Sequence, residues 1–302
     1  MGRGASWSVI LVGLALSGCG DPDDLGRCRT LRARRPAPDA APLRCNGSPS
    51  LCDRPYDQVF VPAAHNAMSN SDEGWYVPNQ HHGIGRALAD GIRGLELDTH
   101  YDAHGAPSLC HGPCEAGRRP LTDALCEVTG FLDDHPDEVV TLLLESYIGR
   151  GDTVEAFARS GLDAYVLSRA PGEPWPTLGE MIRGGRRLVV LTEADGGTPR
   201  WYQPLFEVGM QSTYRFRAPT DFDCALDPRS RGRDLFIVKH FLADPLSDET
   251  LALRANAAEV LAARLARCRR EEGRLPTLVA VDFYDEGDLL PVVESLNAGV
   301  RP

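Results

Sequence analysis

From position 45 onward, short apolar runs alternate with stretches whose apolar residues recur every three or four positions. The runs are QVFV (58–61), RGLELD (93–98), PSLCH (107–111), EVVTLLLES (138–146), RRLVVLTE (186–193), DLFIVKHF (234–241) and TLVAVDFY (277–284), with a weaker VGMQST (208–213). Their β-branched and leucine content and their length predict strands. Between them, 121–136 places Leu121, Leu125, Val128 and Leu132 on one helical face and stops at Pro136. The stretch 247–270 predicts one helix with Ser247 as its cap, and 286–299 predicts a closing helix. Eight runs with helices between them, over about 250 residues, predict an α/β fold of the TIM (β/α)8 barrel type, with a doubly wound open sheet as the alternative.

In such a barrel the chemistry gathers at the C-terminal ends of the strands. The first run delivers His65 and Asn66 just past its end. In RGLELD, Glu96 and Asp98 are two apart and so share a face, with Leu95 and Leu97 on the other. The acids then face the barrel interior and the leucines face the helices. The third run ends at His111, the fourth presents Glu145, and the last presents Asp282. Three carboxylates and an amide oxygen suit a hard divalent cation. Two flanking histidines suit a general base and a general acid. The bland alternative pairs Glu96 and Asp98 with Arg93.

Charge and the N-terminus narrow the setting. The net charge of −11 excludes a nucleic-acid partner, because a phosphate backbone demands a basic face. Lys239 is the single lysine among the basic residues, and reads as compositional bias. Residues 1–18 read as a signal peptide: Arg3, then WSVILVGLALSG, too short to span a bilayer. LSGC, Leu16 to Cys19, resembles the lipobox of bacterial lipoproteins, which implies acylation of Cys19. Residues 19–44, rich in Pro, Ala, Asp and Arg, read as a flexible tether, leaving 45–302 as the catalytic domain. The expectation is export and a membrane-anchored bacterial lipoprotein. Eight further cysteines suggest disulfides, with Cys224–Cys268 as one and a local bridge among Cys110, Cys114 and Cys126. The competing reading is a structural zinc site of His100, His104, Cys110 and Cys114.

Four segments, LCDRPYDQVFVPAAHNAMSN, PNQHHGIGRALADGIRGLELDTHYDAHGAPSLCHGPC, FLDDHPDEVVTLLLESY and LPTLVAVDFYDEGDLLPVVESLN, resemble the X domain of phosphatidylinositol-specific phospholipase C and its phosphodiesterase relatives. The resemblance runs from about 45 to 297 and is weak between 149 and 234. It implies a TIM barrel, sometimes imperfectly closed, acting on an inositol phospholipid or another phospholipid. It implies His65 as the base that deprotonates the attacking hydroxyl and His111 as the acid that protonates the leaving oxygen. Asn66, Glu96, Asp98 and Glu145 match the family's calcium-dependent type, which implies Ca2+. Candidates for substrate contacts are Glu193, Lys239, Asp282 and Tyr284. The expected protein is a monomer that meets lipid through its anchor. Rival readings are a glycerophosphodiester phosphodiesterase, whose first His is typically followed by Arg rather than Asn66, and an inactive lipid-binding lipoprotein.

Overall fold

The computed structural model describes residues 1, 28, 43–170, 172–243, 246 and 248–299. The proposed signal peptide, Cys19 and most of the tether therefore lie outside the described residues. The first run becomes β1 (Val61–Ala64), followed by α1 (Ile84–Asp90) and β2 (Gly94–Tyr101). Next come β3 (Pro107–Cys110), β4 (Arg118–Pro120), α2 (Leu121–Asp134), β5 (Val140–Ser146), α3 (Arg150–Ser160) and α4 (Leu178–Gly184). The chain continues through β6 (Leu188–Thr192), β7 (Tyr202–Pro204), α5 (Leu205–Val208), β8 (Gly209–Gln211) and β9 (Leu235–Lys239). It closes with α6 (Glu249–Ala255), α7 (Ala258–Glu272), β10 (Leu278–Val281) and α8 (Leu289–Gly299).

Eight strands run parallel, side by side, in the order β7-β6-β5-β2-β1-β10-β9-β8. Among the described residues β7 and β8 do not pair with each other, so the TIM barrel is open along one seam. The barrel expectation holds, but its strand count was reached by a wrong route. PSLCH is not a barrel strand: β3 pairs antiparallel with β2, Thr99 opposite Leu109. The eighth barrel strand is β7, only three residues long and absent from the runs the sequence predicts.

β1 also starts where the apolar run was expected to end. It comprises Val61–Ala64 and contains Pro62. A proline fits because pairing of β1 with β2 begins only at Ala63, opposite Gly94. There the strands approach closely, and a Cβ on Gly94 would lie 2.6 Å from that of Ala63. Leu95 and Leu97 of β2 pack with Leu88, Leu125 and Val128 of the helices, as alternation predicts. The lower barrel interior is apolar, filled by Val61, Leu143, Leu191, Ile237 and Leu278. The ionisable side chains gather toward the C-terminal ends of the strands, beginning with Glu96 opposite Leu143, and this contrast places the site.

Four disulfides tie the fold. Cys224–Cys268 forms as expected, and the local bridge is Cys110–Cys114. That pairing removes the zinc alternative, since both cysteines are consumed. Cys126 instead bonds Cys28, and Cys45 bonds Cys52. The tether is thus fastened to α2 at Cys28. The long helix expected over 247–270 is broken between α6 and α7, and its cap is Asp248, which accepts from the Leu251 amide. No helix among the described residues is long and apolar enough to cross a membrane.

Candidate active site

At the C-terminal ends of the strands lies a cavity of about 330 Å³, lined by His65, Asn66, Asp98, His111, Glu145, Glu193 and Lys239 among others. A larger cavity of about 370 Å³ lies at the opposite end of the barrel, between 46–62 and α8, away from these groups.

His65 follows β1 directly. Its Nδ1 lies 2.7 Å from Oδ1 of Asp282, which is 1% exposed. Phe241 stacks on the ring at 3.9 Å between centroids. Burial disfavours the imidazolium, but the charge and hydrogen bond of Asp282 outweigh it, and the pKa ends above the usual value. Asn66 adopts a left-handed conformation (φ 46°), which Asn tolerates, and turns its amide back into the cavity. Its Nδ2 donates to Asn79 Oδ1 at 3.3 Å and lies 3.2 Å from Nε2 of His111. Asn79 in turn donates to Asp282 Oδ1 at 3.1 Å. One polar chain therefore links the two histidines. Burial, then the nearby His65, pushes the His111 pKa down.

His111 reaches this place by an unexpected path. Strands β2 and β3 extend beyond the barrel rim as a hairpin, and β3 runs back toward the mouth. His111 thus ends a strand that returns to the cavity instead of one that rises from below.

The acids follow from register. Asp98 of β2 sits opposite Glu145 of β5 in the parallel pair. Burial first, and Glu145 next, push the Asp98 carboxyl up to about 8. Glu96, one layer deeper, is paired with Lys239 Nζ at 2.5 Å, both side chains nearly buried. Arg93 is not their partner; it binds Glu138 at 2.7 Å and the Leu88 and Ile92 carbonyls. Oε1 of Glu96 and Oδ2 of Asp282 are buried with no hydrogen-bond partner among the described residues. Tyr147 donates to Glu145 and stacks on His100.

The substrate-contact candidates divide. Glu193 and Lys239 line the cavity. Asp282 does not line it: its Oδ1 accepts from both His65 and Asn79, and it holds the base from behind. Tyr284 is not brought to the cavity either: buried, it donates to Asp90 at 2.8 Å. Alternation would keep it on the side of Asp282; the left-handed turn at Phe283 breaks that alternation and carries it outward. Asn79 and Gln80 were not among the residues the sequence singled out. Gln80 is fully buried and donates to the His65 and Val281 carbonyls, which ties the loop after β1 to β10. PNQ in a polar loop carries no periodic signal that would have marked them.

Among the described residues no three His, Cys, Asp or Glu side chains stand close enough together to hold a metal ion in this arrangement. The donors nevertheless suit a hard cation in kind. Asp98 and Glu145 repel each other, Glu96 has an unpartnered oxygen, and the hydrogen bonds of Asn66 to its neighbours engage Nδ2, not Oδ1.

The fold and cavity define a class: an open α/β barrel whose strand ends hold two linked histidines above an acid layer. The family model PI-PLC X 1 matches residues 51–297, and the chain belongs to that PI-PLC X family. A PI-PLC X domain-containing protein 1 from Arthroderma benhamiae is 33% identical over 288 residues, covering 86% of this chain and 91% of that one. The PI-PLC X domain-containing protein At5g67130 of Arabidopsis thaliana is 30% identical over 310 residues, covering 93% and 70%. Among solved structures, phosphatidylinositol-specific phospholipase C from Listeria monocytogenes superposes with a TM-score of 0.53 at 16% identity, covering 83% of this chain and 96% of that chain. That likeness is one of fold.

Proposed function

We propose that this chain is a phosphoric diester hydrolase of phospholipids, with an inositol phospholipid as the leading substrate. The observation that carries the reading is the linked pair of histidines with opposed environments. Asp282 holds Nδ1 of His65, which leaves Nε2 for a substrate proton. His65 takes that proton from the attacking hydroxyl. The oxygen closes on phosphorus, the bond to the diacylglycerol oxygen breaks, and His111 protonates the leaving oxygen. Lys239 offers a buried positive charge to the phosphoryl oxygens.

Ca2+ belongs to this proposal. Asn66, Asp98 and Glu145 would hold it, and Glu96 would join only on leaving Lys239. When bound, it would stabilise charge on the phosphoryl oxygens and lower the pKa of the attacking hydroxyl. Calorimetry with calcium alone should show binding that Asp98→Asn weakens. Export and lipid attachment at Cys19, with the chain acting as a monomer on the membrane that holds it, are likewise proposed. They rest on the Leu16–Cys19 pattern, and the disulfides support export.

The test is phosphorus NMR of phosphatidylinositol incubated with the purified protein, with calcium and with chelator. The reading expects a cyclic inositol phosphate signal that calcium enhances. An unchanged lipid phosphorus signal under both conditions would rule out this substrate and return the glycerophosphodiester alternative.

A further inference from the structure

We infer that Asn79 is a positioning residue that sets the direction of the Asn66 amide and, through it, the tautomer of His111. This role rests on the phosphodiesterase reading above and deepens it, because Asn66 and His111 are the groups that would meet the cation and the leaving oxygen.

Asp282, Asn79, Asn66 and His111 stand in one row of polar contacts. An ionised carboxylate only accepts hydrogen bonds. Oδ1 of Asp282 meets Nδ1 of His65 at 2.7 Å and Nδ2 of Asn79 at 3.1 Å. Asn79 must therefore turn its NH2 group toward Asp282 and its Oδ1 the other way. There it accepts from Nδ2 of Asn66 at 3.3 Å. The same Nδ2 lies 3.2 Å from Nε2 of His111. An NH2 group offers only donors, so Nε2 accepts, and the proton of neutral His111 sits on Nδ1. One other setting is self-consistent, with both amides reversed and the proton on Nε2. It would turn the Asn79 oxygen against the Asp282 carboxylate. The carboxylate, also held by His65, thus decides between the two, and Asn79 transmits the decision.

Asn79 is placed to hold this setting. It is 6% exposed and lies behind the cavity, whose wall includes Asn66 and His111. Its backbone is pinned on both sides. The amide donates to the Ser69 carbonyl at 3.0 Å, and the carbonyl accepts from the Phe283 amide at 2.7 Å. With Nδ2 of Asn66 taken by Asn79 and His111, Oδ1 is the atom that Asn66 keeps for the cavity. A hard cation requires that oxygen. In the reversed setting Asn66 would offer it an NH2 group and lose it. Nδ1 of His111 is then the nitrogen that carries a proton for the leaving oxygen.

The experiment reads the His111 ring by proton–nitrogen NMR of the full chain labelled at histidine, at alkaline pH where the ring is neutral, with His111→Gln to assign its signals. The wild type should carry the proton on Nδ1. Asn79→Ala releases the Asn66 amide to reverse, and the proton should move to Nε2. Asn79→Asp should keep it on Nδ1, because a carboxyl group, ionised or not, retains an oxygen that accepts from Asn66. A wild-type proton on Nε2 overturns the inference whether or not the variants fold, and so does an Nδ1 proton that survives Asn79→Ala. Calorimetry with calcium alone gives a second readout. Asn79→Ala should weaken binding about ten-fold, as loss of the group that orients a ligand does. Undiminished affinity overturns the hold of Asn79 on Asn66. If calcium binds neither protein, or no phospholipid is cleaved, the functional reading fails separately, and the tautomer still decides the role of Asn79.

Discussion

Asp282 carries the least visible part of the site. Its carboxylate accepts from Nδ1 of His65, which fixes the ring's tautomer and leaves Nε2 as the basic atom. As a base, His65 works only when neutral, and its pKa is raised. On an activated substrate that needs no acid, kcat/KM should therefore rise with pH through a value above the ordinary imidazole range. Asp282→Asn should cost about 10²–10⁴-fold at neutral pH and move that rise to lower pH, since the raising charge is gone. A pH–rate profile of both proteins checks it; a rise at the same pH would show that Asp282 is only structural. The sequence could place an acid after the last strand but not its partner, because pairing across 217 positions leaves no local trace. Lys239 taught the same lesson: a lone lysine looked like bias and lies buried on Glu96.

At the level of elements, the break between α6 and α7 serves the site. Asn256 leaves the helix and sends its Nδ2 to the carbonyls of Asp282 at 3.0 Å and Glu286 at 3.0 Å. Its own carbonyl accepts from the Asp288 amide at 2.9 Å. The loop that carries Asp282 is thereby fixed from behind. Asn256→Ala should destabilise the protein by about 1–3 kcal/mol, because buried carbonyls lose their donor. Denaturant unfolding measures that loss, and a change within error would mean that water replaces the amide. Continuous helical propensity over 247–270 hid this break. Strands β5, β6, β9 and β10 were legible as apolar runs and β8 lay within the weaker run 208–213, whereas β7 has three residues and no pattern to read. PSLCH read as a barrel strand because alternation does not report direction. The hairpin signal lay in the turn before it, where the Asp102 carboxylate accepts from the His104 and Ala106 amides and Gly105 is left-handed.

Across the whole molecule, two layers divide the labour. An apolar lower interior supports an upper ring of His, Asn, Asp and Glu, and the strand-end rule therefore found His65, Asn66, Asp98, His111 and Glu145 in one cavity. His111 came right through a hairpin the rule did not foresee. The central claim is that His65 and His111 act as base and acid on either side of one phosphodiester. The most direct measurement is kcat/KM of His65→Ala and His111→Ala on the natural lipid and on an analogue with a nitrophenolate leaving group, at saturating calcium. His111→Ala should lose about 10²–10⁴-fold on the lipid, whose alkoxide needs a proton, and far less on the analogue. His65→Ala should be crippled on both, because the attacking hydroxyl must lose its proton whatever leaves. Equal losses for His111→Ala on the two substrates would contradict the assignment of the acid, and rescue of His65→Ala by the analogue would reverse the two roles.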